Sequence, residues 1–195
     1  TYSPPGRIVV SRGELVEIGG SFRLPDILAK AAGEVVEIGT TNRTYASDYA
    51  RVARAGDMLL KVHRSNYDIQ GFTHEADVSD LVGVAAERKC SVVFDLGSGC
   101  LFDFASRGLG GETQGQEAVR TGADCVTLSG DKLLGGVQAG IIVGREEFVA
   151  KLRQNPLRRA VRVDKTTIAA LQALLRLYLF RSSPERDVPI LRQAT

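Results

Sequence analysis

The feature that most limits what this chain can fold into is a recurring alternation. Short β-branched runs stand at 7–11 (RIVVS), 34–39 (EVVEIG), 57–63 (DMLLKVH), 91–97 (SVVFDLG), 125–129 (CVTLS) and 139–144 (AGIIVG). Between most of them lie stretches of helical character, at 25–33, 46–56, 77–90 and 114–124. Strands alternating with helices of this length predict an α/β fold: βαβ units in a mostly parallel sheet with helices on both faces. The runs are apolar at consecutive positions, which suits strands covered on both sides. The link between the last two runs is about nine residues, too short for a parallel crossover, so the last strand is predicted antiparallel.

Beyond that strand, 145–154 reads as a helix, Asn155-Pro156 as a break, and the following segment as an arginine-rich turn. Asp164 can cap a long helix over 165–181. Ile168, Leu171, Leu174, Leu175, Tyr178 and Leu179 form one apolar stripe along it, and SSPERD ends it.

Composition narrows the class. A chain of 195 residues supplies one sizeable core. Net charge is +2, from 25 basic and 23 acidic side chains, without the basic excess typical of a nucleic-acid binder. No apolar run approaches the roughly 20 residues of a membrane span, and TYSPPGRIVV does not read as a secretory signal. Cys90, Cys100 and Cys125 are an odd count without a CxxC pair, and so read as free thiols of a reducing, cytoplasmic setting. Two histidines, His63 and His74, are too few for a rich metal cluster, and no metal site is expected.

Ligands of an open parallel sheet gather outside the carboxyl ends of its strands. Three polar signals fall there: Asp95 with Gly97-Ser98-Gly99, Ser129 through Lys132, and His63 through Asn66. Asp95 closes an apolar run, and an acid at that depth needs a cationic partner. Lys132 follows the next strand in sequence. A lysine that forms a Schiff base and an aspartate that pairs with a pyridinium nitrogen are what pyridoxal 5'-phosphate requires. Ser129 suits a phosphate contact, and Gly130, Gly135 and Gly136 allow close backbone approach. The same spacing also describes a structural ion pair, or a lysine in a solvated turn. Gly97-Ser98-Gly99 lacks the GxGxxG spacing and reads as a turn out of the strand.

More specific are the stretches VVSRGELVEIGGSFRLPDI, EIGTTNRT, KVHRSNYDIQGF, VVFDLGSG, LSGDKLLGG and RRAVRVDK, in this order. Together they resemble the bacterial selenocysteine synthase (L-seryl-tRNA(Sec) selenium transferase) family of fold-type I pyridoxal-phosphate enzymes, over residues 7–181. The resemblance implies the large domain of that fold without its first strand. It implies that Lys132 carries the cofactor, Asp95 faces the pyridinium nitrogen, Ser129 contacts the phosphate and Asn66 lies near the phenolic oxygen. Arg159 and Arg162 match two arginines that line the site for selenophosphate. The implied reaction is conversion of seryl-tRNA(Sec) to selenocysteinyl-tRNA(Sec) through an aminoacrylyl intermediate, in a cytoplasmic homo-oligomer built as a ring of dimers.

The chain also departs from the family. Val137 stands where proline is usual, and the tRNA-contacting module, the first strand and most of the small domain find no match. The expectation is a catalytic-core fragment with little or no activity alone, with core residues 1–154 and an arginine-rich turn and long helix over 155–195 leading towards an absent small domain. A related pyridoxal-phosphate lyase or transferase acting on a small amino acid, and a catalytically silent assembly unit, stay open as alternatives. His63 either faces the ring or is a satisfied core histidine; Thr40 to Arg43, Arg12 and Glu14 are left outside the catalytic set.

Overall fold

A computed structural model describes residues 6–194 of the chain, and the side chains of 6–193; the reading of Thr1–Pro5 lies outside the described residues. Six strands form one sheet: β1 (Arg7–Ser11), β2 (Glu34–Ile38), β3 (Met58–Val62), β4 (Ser91–Gly97), β5 (Cys125–Ser129) and β6 (Gly140–Gly144). Their order is β2-β1-β3-β4-β5-β6. All pairs are parallel except β5–β6, where Cys125 faces Gly144 and Ser129 faces Gly140. The short link does turn the last strand round.

Helices α1 (Leu24–Ala31), α2 (Ala46–Val52), α3 (Val78–Arg88) and α4 (Gly115–Arg120) join the strands. Side chains alternate faces along a strand, so two cores form. On one face Val9, Leu59, Val92, Phe94, Leu96 and Val126 pack under Tyr49 of α2, Leu81 and Ala85 of α3 and Ala118 of α4. Leu59, Leu81 and Leu96 are fully buried there, each contributing about 1.5–3 kcal/mol relative to exposure. On the other face Ile8, Val10, Leu60 and Val62 meet Leu24 and Leu28 of α1.

The sheet's last strand is less covered than its sequence suggests. β6 alternates half-buried and exposed residues, and Ile142 is 48% exposed. An apolar run was taken to mean cover on both faces, but at a sheet edge it need not.

Beyond β6 come α5 (Glu146–Gln154), α6 (Leu157–Val161), α7 (Lys165–Phe180) and α8 (Pro189–Ala194). The Asp164 carboxylate accepts from Thr167 N at 2.7 Å, the expected cap of α7. The arginine-rich segment expected as a turn instead closes one helical turn, α6, and the chain resumes helix in α8 after SSPERD. Only part of the α7 stripe is used. Leu174 is buried and Leu171 and Tyr178 half-buried against Phe102, Phe104, Leu134, Val188 and Leu191, whereas Ile168 and Leu179 stay exposed. Gly136 admits this packing, since a Cβ there would come within 2.7 Å of Leu174 Cδ2.

Candidate active site

β4 delivers the central acid. Its Val92, Phe94 and Leu96 are buried on one face, so Asp95 points to the other, half-buried. There it meets Thr127, its register partner on β5, whose hydroxyl donates to Asp95 Oδ1 at 2.5 Å. The expected cationic partner is absent: among the described residues Asp95 makes no ion pair, and half-burial together with the Thr127 hydroxyl meets its needs instead.

Lys132 arrives from the loop after β5. That loop is closed by Gly130 N on Ala139 O and Gly136 N on Gly130 O, both 2.8 Å, and is tied to β4 by Leu133 N on Ser98 O at 2.9 Å. Gly99 lets the two meet: its φ is +70°, and a Cβ there would stand 2.1 Å from Ser129 O. Lys132 is exposed and has no side-chain partner among the described residues. Its Nζ lies 3.8 Å from where a Cβ on Gly97 would be, two residues past Asp95. The structural ion pair is therefore not formed, although both groups reach the carboxyl end of β4. Ser129 ends β5, half-buried. Asn66 is exposed, and its Nδ2 donates to Glu17 O at 3.0 Å, holding it towards the loop after β1.

His63 follows β3, and its amide donates to Asp95 O at 2.9 Å. Its Nε2 lies 2.9 Å from Glu112 Oε1. Burial raises the Glu112 carboxyl, but the hydrogen bond with His63 and the nearby Ser98 hydroxyl outweigh it and hold the group below the ordinary carboxylate value. Glu112 was not singled out from sequence.

A second charged cluster fills the ends of β1 and β3. Lys61 Nζ lies 2.7 Å from Glu14 Oε1 and 3.0 Å from Glu75 Oε2, and Glu14 Oε2 accepts from Val62 N at 2.8 Å. Glu14 and Lys61 are both buried. Burial pushes the Glu14 carboxyl up, partly offset by Lys61. Arg64 pairs with Glu75 in turn.

Arg159 and Arg162 stand elsewhere, around a hollow of ≈ 340 Å³ that Arg153, Arg158, Asn155 and Pro156 also line. No described carboxylate pairs with any of the four guanidinium groups, so the hollow is an unneutralised cationic patch suited to an oxyanion. Arg158 lies in the arginine-rich segment read from the sequence and Arg153 in the helix before it, neither with an assigned role.

The sequence profile of L-seryl-tRNA selenium transferase matches residues 3–195. The chain belongs to that family. It is 52% identical over 189 residues to the L-seryl-tRNA(Sec) selenium transferase of Geobacter metallireducens, covering 96% of this chain and 41% of that one. With the Desulfomicrobium baculatum enzyme of the same name, identity is 53% over 196 residues, 100% of this chain and 42% of the relative. The chain thus spans about two fifths of the length of these curated relatives. Among solved structures, D-glucosaminate-6-phosphate ammonia-lyase superposes with a TM-score of 0.70 at 23% identity, covering 88% of this chain and 42% of that one. A Thermus thermophilus aspartate aminotransferase mutant superposes with 0.62 at 18% identity, over 99% and 48%. At such identities the likeness is one of fold, and it is the aminotransferase-like sheet that the family resemblance implied.

Proposed function

We propose that this chain carries the reaction centre of an L-seryl-tRNA(Sec) selenium transferase, which uses pyridoxal 5'-phosphate and selenophosphate to convert seryl-tRNA(Sec) to selenocysteinyl-tRNA(Sec). One observation carries the reading. In a chain half identical to enzymes of that name, an unpaired lysine amine and an aspartate without a cationic partner reach the end of the same strand.

The residues fit the cofactor. Asp95 is left with a carboxylate oxygen free among the described residues, able to accept from a pyridinium nitrogen. Lys132 Nζ, exposed and unpaired, would hold the cofactor covalently and, as a free amine, take up the Cα proton of the seryl group. When bound, the ring supplies an electron sink for the charge left at Cα. Ser129 would donate to the phosphate. Asn66 would reach the phenolic oxygen only by leaving the Glu17 carbonyl. Arg159 and Arg162 would grip the selenophosphate oxygens with bidentate forks.

We read residues 1–154 as the catalytic core and 155–195 as the anion-site segment with its connecting helices. Among the described residues no helix is long and apolar enough to cross a membrane. Three free thiols and a tRNA substrate support a cytoplasmic setting. Leu179 and Phe180, 74% and 78% exposed, support self-association into the dimer-based ring.

The test is trapping. The chain is incubated with pyridoxal phosphate, reduced with borohydride and digested. The pyridoxyl mass should fall on Lys132 and vanish in Lys132→Ala; a label spread over surface lysines would overturn the reading. The substrate assignment is tested by seryl-tRNA(Sec) and selenophosphate turnover in the full-length enzyme, and would fall if a small free amino acid were turned over instead.

A further inference from the structure

The proposed chemistry leaves one titratable pair unused. His63 Nε2 and Glu112 Oε1 are 2.9 Å apart, with side chains 23% and 20% exposed. The His63 backbone is tied to β4, its amide donating to the Asp95 carbonyl. Glu112 comes from the loop between β4 and α4, so the bond ties that loop to the end of β3. The other groups facing the carboxylate are the buried Ser98 hydroxyl and the Cys100 thiol.

An ionised carboxylate only accepts hydrogen bonds, so the proton in this bond belongs to His63 Nε2. In a neutral imidazole the other nitrogen is then an acceptor, and Nδ1 has no partner among the described residues. We propose that Glu112 is a positioning residue: it fixes His63 as the Nε2–H tautomer and presents an unprotonated Nδ1 to a substrate hydroxyl or ammonium group at the strand ends that carry His63 and Asp95. This inference rests on the proposed function for its substrate. A carboxylate that orients an imidazole through its far nitrogen is a recurrent way to set tautomer and ring plane together.

The experiment reads the tautomer directly. Long-range proton–nitrogen spectra of the ¹⁵N-labelled chain at neutral pH resolve its two imidazoles, His63→Gln identifying the His63 set. The wild type should show Nε2 protonated and Nδ1 bare. Glu112→Ala should give averaged tautomers, and Glu112→Gln, whose amide oxygen still accepts, should restore most of the Nε2–H form. A protonated Nδ1 in the wild type would overturn the inference without any variant, as would a Glu112→Ala spectrum equal to the wild type. In the full-length enzyme Glu112→Ala should lower turnover at least about tenfold while Glu112→Gln recovers most of it, the loss expected when a proton-handling group is misaligned; equal rates in the two variants would also count against it. Borohydride labelling of Lys132 should persist in both variants. Its failure in the wild type would bear on the cofactor reading, while the tautomer spectrum decides this one independently.

Discussion

Thr127 donates to Asp95 across the β4–β5 ladder, and no described cation touches that aspartate. The acid is therefore held in place by a neutral neighbour that does not compete for its charge. Thr127→Val should keep the fold and weaken pyridoxal phosphate binding about tenfold, the effect of losing one hydrogen bond worth roughly 1–1.5 kcal/mol. Asp95→Asn should weaken it about ten- to a hundredfold, since a charge-assisted bond is then lost. Titration of cofactor absorbance measures both, and equal affinity for wild type and Asp95→Asn would remove Asp95 from the site.

Arg159 and Arg162 are exposed and have no described carboxylate partner, so truncating them should change folding stability by less than about 0.5 kcal/mol. The same changes should raise the KM for selenophosphate. Arg159→Lys should not rescue it, because a lysine lacks the planar two-pronged fork. Urea unfolding and steady-state kinetics of the full-length enzyme separate the two effects.

Lys61 and Glu14 form a buried pair with a second acid, Glu75, at its edge. Removing only the cation strands a buried carboxylate, so Lys61→Met should destabilise the chain by about 3–5 kcal/mol. Adding Glu14→Gln should recover much of that loss. A Lys61→Met chain as stable as the wild type in urea would mean that the pair contributes nothing.

Two of the perturbed carboxylates, Glu112 and Glu14, should shape the stability curve in opposite senses. Glu112 lies below its ordinary value of 4.5 in the fold, so its contribution is full above that value and is lost as pH falls through the lower folded value. Glu14 lies above 4.5 because burial penalises its charge, so the fold binds that proton more tightly and stability declines as pH rises through the range above 4.5. Urea midpoints from pH 3 to 8 should show a shallower acid-side loss in Glu112→Gln and a flatter decline above 4.5 in Glu14→Gln.

Much of this architecture could be read from residue pattern. The six β-branched runs became the six strands within a residue or two, and the short link into Gly140–Gly144 announced the reversed strand. Lys132 and Asp95 were singled out because strand ends concentrate chemistry, and both do reach the carboxyl end of β4. What lay beyond reach was pairing. Spacing offered Lys132 as the partner of Asp95, but strand register put Thr127 beside it. Glu112 was invisible because it sits in a glycine-rich loop, GLGGETQG, where no periodicity marks a side chain as inward. α6 was missed because an arginine-rich five-residue segment carries no apolar stripe, and α8 because Pro184 looked like a full stop rather than an N-terminal residue of a 3-10 turn.

The strand order has one more consequence. From β1 the chain turns outward to β2, and from β3 it turns the opposite way to β4, so the two paths part between neighbours. A cleft at such a parting is the customary berth for a small molecule. Here Glu14 and Lys61 occupy it, welded across the gap by their own charges. The berth is plugged from within, and the charges left unclaimed at this end of the sheet lie further along, on Asp95 and Lys132.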